Sequence, residues 1–269
     1  MQLSFIFIGI LIFIIAISMT MVGKGGGNFY VLVLVLAQIP MQNAASIGQF
    51  ILFAASISAL FIFNKNKTLV WPLAIMIGVL IATSAFLGGY FSHYFAGYIL
   101  KIVFAILLFI SGILMLIKIK KQDNDKFNQK IGYWIFQFKE QKYSINLFIS
   151  VPIIIVTGFA AGMVGVSGGS FLVPLMVLAC GLSMKNAVGT ASALIAVTAF
   201  MGFMGHAMQG DVNFTYAVPL AAIAIIGGVM GSKFALKSKP KNLKKLFAYT
   251  NWLAAIIMFI NAITTINLK

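Results

Sequence analysis

Eight apolar stretches of about 20 residues, none containing an aspartate or glutamate, constrain this chain more than any other feature. They cover about 3–22, 43–63, 71–91, 97–117, 147–166, 187–207, 213–235 and 243–266. A helix of that length crosses the ~30 Å hydrocarbon core of a bilayer. Within that core only helices and closed barrels satisfy their own backbone hydrogen bonds. Composition excludes a water-soluble globule: 61% of the 269 residues are hydrophobic and 9% are charged. Soluble domains carry about 25% charged residues, enough to cover their surface. The expectation is an all-α polytopic protein, multi-pass in the cell (plasma) membrane, with the lipid bilayer as its first partner.

Two further apolar runs, about 29–39 and 170–182, are too short to cross. Each follows a glycine cluster: Gly25-Gly26-Gly27 in one case, Gly168-Gly169 in the other. The order long, short, long, long, long therefore occurs twice. Residues match where this order requires it. Gly26-Gly27-Asn28-Phe29 aligns with Gly168-Gly169-Ser170-Phe171, and Trp71-Pro72-Leu73-Ala74 with Val218-Pro219-Leu220-Ala221. The pattern predicts two five-segment repeats, residues 1–117 and 147–269, joined by a cytoplasmic linker at 118–146. An odd number of segments per repeat inverts the second copy, and each copy carries a short broken or re-entrant helix.

Charge tests this arrangement independently. The chain has 19 basic residues, every one a lysine, against 4 acidic ones. Lysines crowd the 64–70 loop, the central stretch and the 237–245 loop, whereas 92–96 and 208–212 have none. Lysine-rich loops face the cytoplasm, which places both termini outside. Lys101 and Lys233, near helix ends, are expected to snorkel to the surface. Without arginine, the usual phosphate and base reader, a nucleic-acid partner is not expected. Tyr133-Trp134-Ile135-Phe136 in the linker reads as a patch at the headgroup level.

Glycine breaks leave backbone N–H groups free, and such backbone is tolerated at membrane depth only where it is buried or lines a cavity. A helix N-terminus carries partial positive charge and binds anions. Two such ends facing one cavity suit a small anionic substrate, in keeping with transporters whose sites form where broken helices meet. Gly26, Gly27, Gly168 and Gly169 would offer amides. Asn28 and Ser170, expected at the N-caps, would add hydrogen bonds. Lys24 would add charge, with an interfacial capping lysine as the plainer reading. Thr190 and Ser192 on the second copy, and Gln49 on the first, complete the expected lining. Close packing by Gly and Ser and hydroxyls bonded to their own backbone are the structural alternatives.

The Gly165-x-x-Gly168-Gly169-Ser170-x-x-x-Pro174-Leu175 run, followed by Ala187-x-Gly189-Thr190 and later by Gly227-Gly228-x-x-Gly231, resembles the TauE/SafE sulfite exporter family. The resemblance covers essentially the whole chain and is strongest over 158–236. It implies a transporter of small sulfur-containing anions: sulfite, thiosulfate, organosulfonates and related carboxylates. Two positions depart from the family pattern. Ala191 separates Thr190 from Ser192, and Lys24 stands in the first glycine cluster.

No span contains a carboxylate: Asp123, Asp125 and Glu140 lie in the linker and Asp211 in a short loop. A carboxylate proton relay is therefore not expected. His93 and His206 are expected to be solvated near helix ends. An inside-negative potential drives a monoanion outward with about 2.3 kcal/mol per 100 mV, which favours export or uniport. An anion channel is the nearest alternative. Gly165-Val166-Ser167-Gly168 with His206 also fits a rhomboid-like intramembrane serine protease, but the repeat has no place in that fold, so no enzyme is expected. No cofactor or metal is expected, since the single Cys180 allows neither a disulfide nor a thiolate cluster and reads as an inert, packed thiol. A homo-oligomer is compatible with such a chain.

Overall fold

A computed structural model describes residues 2–116, 131–139, 141–210 and 214–267. Its helices are α1 (Gln2–Met21), α2 (Gly27–Leu36), α3 (Met41–Lys65), α4 (Trp71–Phe91), α5 (Gly97–Leu116), α6 (Leu147–Val164), α7 (Gly169–Leu178), α8 (Met184–Ala207), α9 (Phe214–Lys237) and α10 (Pro240–Asn267). A single 3-10 turn, Ser92–Tyr94, follows α4. Among the described residues, eight helices have 18 to 28 residues and two have 10. Six of them are long and apolar enough to cross a membrane, and Phe5–Met21 adds a shorter apolar helix. At 1.5 Å per residue, α2 and α7 reach only about 15 Å, half the hydrocarbon thickness.

The helices expose large apolar side chains and keep polar ones within an otherwise apolar core. Ile6, Phe7 and Ile10 on α1, Phe148 and Val156 on α6, and Ile256 and Ile260 on α10 are all exposed. Lys24, Asn28, Gln49, Ser111, Ser170, Thr190, His206 and Asn251 are all buried. Water as solvent would disfavour that distribution, while lipid favours it.

The two sets of five helices close in the same way. α1 and α6 both stop at a left-handed glycine, Gly23 and Gly165, each with φ +77°. Lys24 N–H then donates to Met19 C=O at 3.0 Å, and Val166 N–H to Ala161 C=O at 3.0 Å. This reverse bond across a left-handed residue satisfies carbonyls that a helix end leaves unpaired. The short helices open with the same first bond, Phe29 N–H to Gly26 C=O at 2.9 Å and Phe171 N–H to Gly168 C=O at 3.0 Å, although Gly26 is left-handed at φ +99° and Gly168 is right-handed at φ −62°. α3 begins Met41-Gln42-Asn43-Ala44 and α8 begins Met184-Lys185-Asn186-Ala187.

Neighbour relations correspond as well. α3 lies between α8 and α9, as α8 lies between α3 and α4. α1 rests on α9, as α6 rests on α4, and α5 pairs with α10. Small residues make these approaches close: a Cβ at Gly228 would meet Ala55 C=O at 2.5 Å, and one at Gly89 would meet Gly202 C=O at 2.5 Å.

One stretch departs from the all-α expectation. Tyr133–Phe138 (β1) and Gln141–Asn146 (β2) form an antiparallel hairpin, with Phe136 opposite Tyr143, that runs directly into α6. Strand alternation divides the aromatic patch. Tyr133 and Ile135 are exposed, whereas Phe136 is buried with its ring 5.5 Å from that of Tyr143. The lysines and acids of 118–130, Glu140 and Asp211 lie outside the described residues.

Candidate functional site

Two left-handed turns aim the N-termini of α2 and α7 at each other. Asn28 Nδ2 donates to Ser170 Oγ at 3.1 Å, joining the two short helices directly. The glycine pairs interlock around this bond. A Cβ on Gly27 would lie 2.9 Å from Ser167 N, and a Cβ on Gly169 would lie 2.6 Å from Gly23 C=O. No side chain other than hydrogen fits between these backbones.

Asn28 and Ser170 are not N-caps, as the sequence suggested. Gly26 and Gly168 hold those positions with no side-chain cap bond, so Asn28 and Ser170 are each the second residue of their helix. That places their side chains in the first turn, among the unpaired N–H groups of the helix end.

The paired helices α5 and α10 supply polar groups that sequence reasoning did not find. Asn251 Nδ2 donates to Ser111 Oγ at 2.9 Å, and Ser170 Oγ lies 3.4 Å from Asn251 Oδ1. Ser111 Oγ also donates to the Ser170 carbonyl. The available signal was an asparagine inside the last apolar segment, since a polar amide is costly in lipid and faces the protein interior.

Lys24 is 1% exposed, so the interfacial reading of this lysine is overturned. Its Nζ donates to Phe247 C=O at 2.6 Å and to Thr250 Oγ1 at 2.7 Å, and lies 4.2 Å from the Phe247 ring centroid. An ammonium has three hydrogens, and these two bonds use two of them. No carboxylate occurs in any of the ten helices to balance the charge. Lys24 and the Asn28–Ser170 pair thus dock on adjacent residues of α10, Thr250 and Asn251. Their shared chemistry is one lysine amine and several neutral donors.

The other expected residues bond elsewhere. Gln49 Nε2 donates to the Ala161 and Gly162 carbonyls at 3.2 Å each, tying α3 to the end of α6. Thr190 Oγ1 accepts from Val70 N–H at 3.0 Å and donates to Asn186 C=O at 2.8 Å, joining α8 to the start of α4. Ser192 Oγ donates to Gly189 C=O at 2.7 Å within its own helix. One turn beyond Gln49 and Ser192, Leu52 and Ile195 cover the tips. Leu52 packs on Gly25 and Gly27, and Ile195 on Gly25 and Gly169. All of these residues are buried, so the structure is a closed arrangement. A cavity of about 480 Å³ lies away from the tips, between α4, α5 and α6, lined by Leu87, Ile99, Ile155, Phe159 and Met163.

His206 corrects a second expectation, because it is 0% exposed rather than solvated. Its Nε2 is 3.0 Å from Gly162 C=O and its Nδ1 is 3.3 Å from Ser92 Oγ. Ser167 Oγ is buried without a hydrogen-bond partner, so Ser167 and His206 form no nucleophile–base pair. Cys180 is a buried free thiol. Among the described residues no cluster of His, Cys, Asp or Glu could hold a metal ion.

The family model described as "Sulfite exporter TauE/SafE" matches residues 8–258. The probable membrane transporter protein YunE of Bacillus subtilis (strain 168) is 25% identical over 207 residues, covering 75% of each chain. The probable membrane transporter protein MJ0441 of Methanocaldococcus jannaschii is 25% identical over 204 residues, 74% of this chain and 70% of that one. The probable membrane transporter protein YdhB of Bacillus subtilis (strain 168) is 22% identical, covering 83% of this chain and 87% of its own. No solved structure matches the chain.

Proposed function

The chain belongs to the sulfite exporter TauE/SafE family, and from that premise we propose that it carries a small sulfur-containing anion, such as sulfite, thiosulfate or an organosulfonate, outward across the membrane. Its class is a multi-pass membrane transporter, not an enzyme. The observation that carries the substrate reading is the 3.1 Å bond between Asn28 and Ser170 at two facing helix N-termini. Gly26, Gly27, Gly168 and Gly169 frame those ends. Lys24 supplies the charge, while Ser111 and Asn251 extend the donor set.

Residues 1–117 and 147–269 act as two inverted repeats around this point, with 118–146 as a cytoplasmic linker. Three facts support the repeat: matched left-handed glycines, matched first bonds of the short helices, and neighbour relations that persist when the two sets are exchanged. Lysine-rich loops on one side fit the same arrangement. Gln49, Thr190 and Ser192 serve in this reading as joints at the base of the site. Leu52 and Ile195 close it, and alternating access consists of lifting them from the tips.

The test is a binding screen of sulfite, thiosulfate, sulfoacetate and simple carboxylates on purified protein. A sulfur oxyanion should bind best, and Asn28→Leu with Ser170→Ala should weaken it about tenfold each, the value of one lost hydrogen bond to a charged group. Equal binding by wild type and both variants would move the site elsewhere. Direction is read in proteoliposomes: concentrative uptake against an inside-negative potential would exclude simple export.

A further inference from the structure

We propose that Tyr30 and Ser167 coordinate the carried oxyanion, each donating its hydroxyl hydrogen to an anion oxygen, one from each tip; this rests on the reading of the α2 and α7 tips as the anion site. Both side chains are buried, Tyr30 at 0% and Ser167 at 2% exposure. Neither hydroxyl has a hydrogen-bond partner among the described residues.

The local backbone sets where the two hydroxyls lie. Side chains on a helix lean toward its N-terminus, so a tyrosine one turn into α2 lays its ring back over the start of that helix. Tyr30 N–H donates to Gly26 C=O at 3.0 Å, and a Cβ on Gly26 would lie 2.7 Å from Tyr30 Oη. The phenol therefore ends at the level of the unpaired N–H groups of α2. Ser167 stands one residue before Gly168, the N-cap of α7, and a Cβ on Gly27 would lie 2.9 Å from its backbone nitrogen. One hydroxyl thus comes from each tip, and both residues border the Gly26-Gly27 step.

The matching place on the opposite tip is in each case without a hydroxyl. Leu172 N–H donates to Gly168 C=O at 3.0 Å, as Tyr30 does to Gly26, and a Cβ on Gly168 would lie 3.3 Å from Leu172 Cδ1. Gly25 follows Lys24 as Ser167 follows Val166, and Lys24 and Val166 are the residues whose N–H groups close the two left-handed turns. Leucine and glycine fill these places without a polar group, so packing alone requires neither the phenol nor the serine.

The neighbouring polar groups differ in being bonded to protein. Lys24, Ser111, Ser170, Thr250 and Asn251 all have partners. Thr20, Ser46 and Ser150 also hold buried hydroxyls without a partner, but each lies in a helix, where rotation of the side chain reaches a carbonyl of the preceding turn. A phenol cannot fold back in that way, and Ser167 lies outside any helix. A hydroxyl buried without a partner costs stability. An oxyanion removes that cost, because its oxygens accept and an O–H bond to an ionised group is among the strong ones. A third unpartnered atom, Asn28 Oδ1, belongs to the amide already assigned to the site.

The test reads stability and affinity separately on full-length protein in nanodiscs. Without anion, Tyr30→Phe and Ser167→Ala should each melt at or above the wild-type temperature, because each removes a buried group that lacks a partner. With sulfite and thiosulfate as probes, each variant should bind about tenfold or more weakly, the value of one hydrogen bond to a charged group. The thermal stabilisation that these anions give wild type should shrink in step. Ser150→Ala, which removes an unpartnered hydroxyl near the other end of α6, should bind as wild type does. A Tyr30→Phe or Ser167→Ala protein that melts well below wild type without anion would show that its hydroxyl bonds the protein, and would overturn the proposal. Wild-type affinity in either variant would overturn it as well. If Asn28→Leu weakens binding while Tyr30→Phe and Ser167→Ala do not, the tip reading stands and this assignment alone fails. If wild type binds neither anion, the tip reading fails and this assignment with it.

Discussion

A Lys24→Met protein is expected to fold and reach the membrane but to move its anion at least about thirtyfold more slowly. The fold tolerates the change because α10 does not depend on the lysine. Thr250 Oγ1 already donates to Leu246 C=O at 2.7 Å and to Phe247 C=O at 3.0 Å. Methionine fills the buried stem with a flexible apolar chain. What is lost is the lysine amine beside the tips, where the described helices hold no acidic residue. Removing one partner of a buried charge pair costs about 2–5 kcal/mol, or roughly 30- to 4000-fold in binding. Initial flux in proteoliposomes, normalised to folded protein by size exclusion, measures it. A flux within threefold of wild type would make Lys24 a structural tie and leave the anion to neutral donors alone.

Gly165→Ala is expected to prevent accumulation of folded protein. Its φ of +77° is left-handed, and a methyl group would overlap the Ala45 backbone of α3. The first effect costs about 1–2 kcal/mol and the second about 1–3 kcal/mol in a site that cannot relax. Total stabilities of only about 5–15 kcal/mol leave little reserve for that loss. Gly210→Ala is the matched control. It too is left-handed, at φ +84°, but nothing lies within 4 Å of the added methyl. That variant should lose only about 1 kcal/mol and remain monodisperse in detergent. Equal thermal stability of the two variants would show that contact with α3 is not what demands glycine at 165.

The helices were legible because lipid imposes a length and forbids charge, and both properties are local in the chain. The glycine clusters were legible for a related reason: a break at membrane depth needs residues without side chains. Cap positions were not. Gly26 and Gly168 occupy them without a side-chain bond, which shifts Asn28 and Ser170 two positions inward. Ser111 and Asn251 escaped notice because one segment's pattern does not say which face meets the short helices. His206 escaped for a different reason. Gly205 and Gly89 let α8 and α4 approach so closely that a ring near a helix end is removed from solvent. The hairpin was hidden in a lysine-rich stretch, although the alternation of Tyr133 and Ile135 with Phe136 carried its signature.

The interlocked glycines have a consequence for how such proteins diversify. The framework that brings the tips together is made of main chain, and it is held by Gly23, Gly27, Gly165 and Gly169 irrespective of the cargo. In the proposed site, chemical preference would rest on a handful of appended groups, chiefly those of Asn28, Ser111, Ser170 and Asn251. Exchanging one of these alters what is accepted without disturbing the scaffold that presents it. Selectivity in such a molecule can therefore be re-engineered, or drift in evolution, by single substitutions that leave the architecture intact.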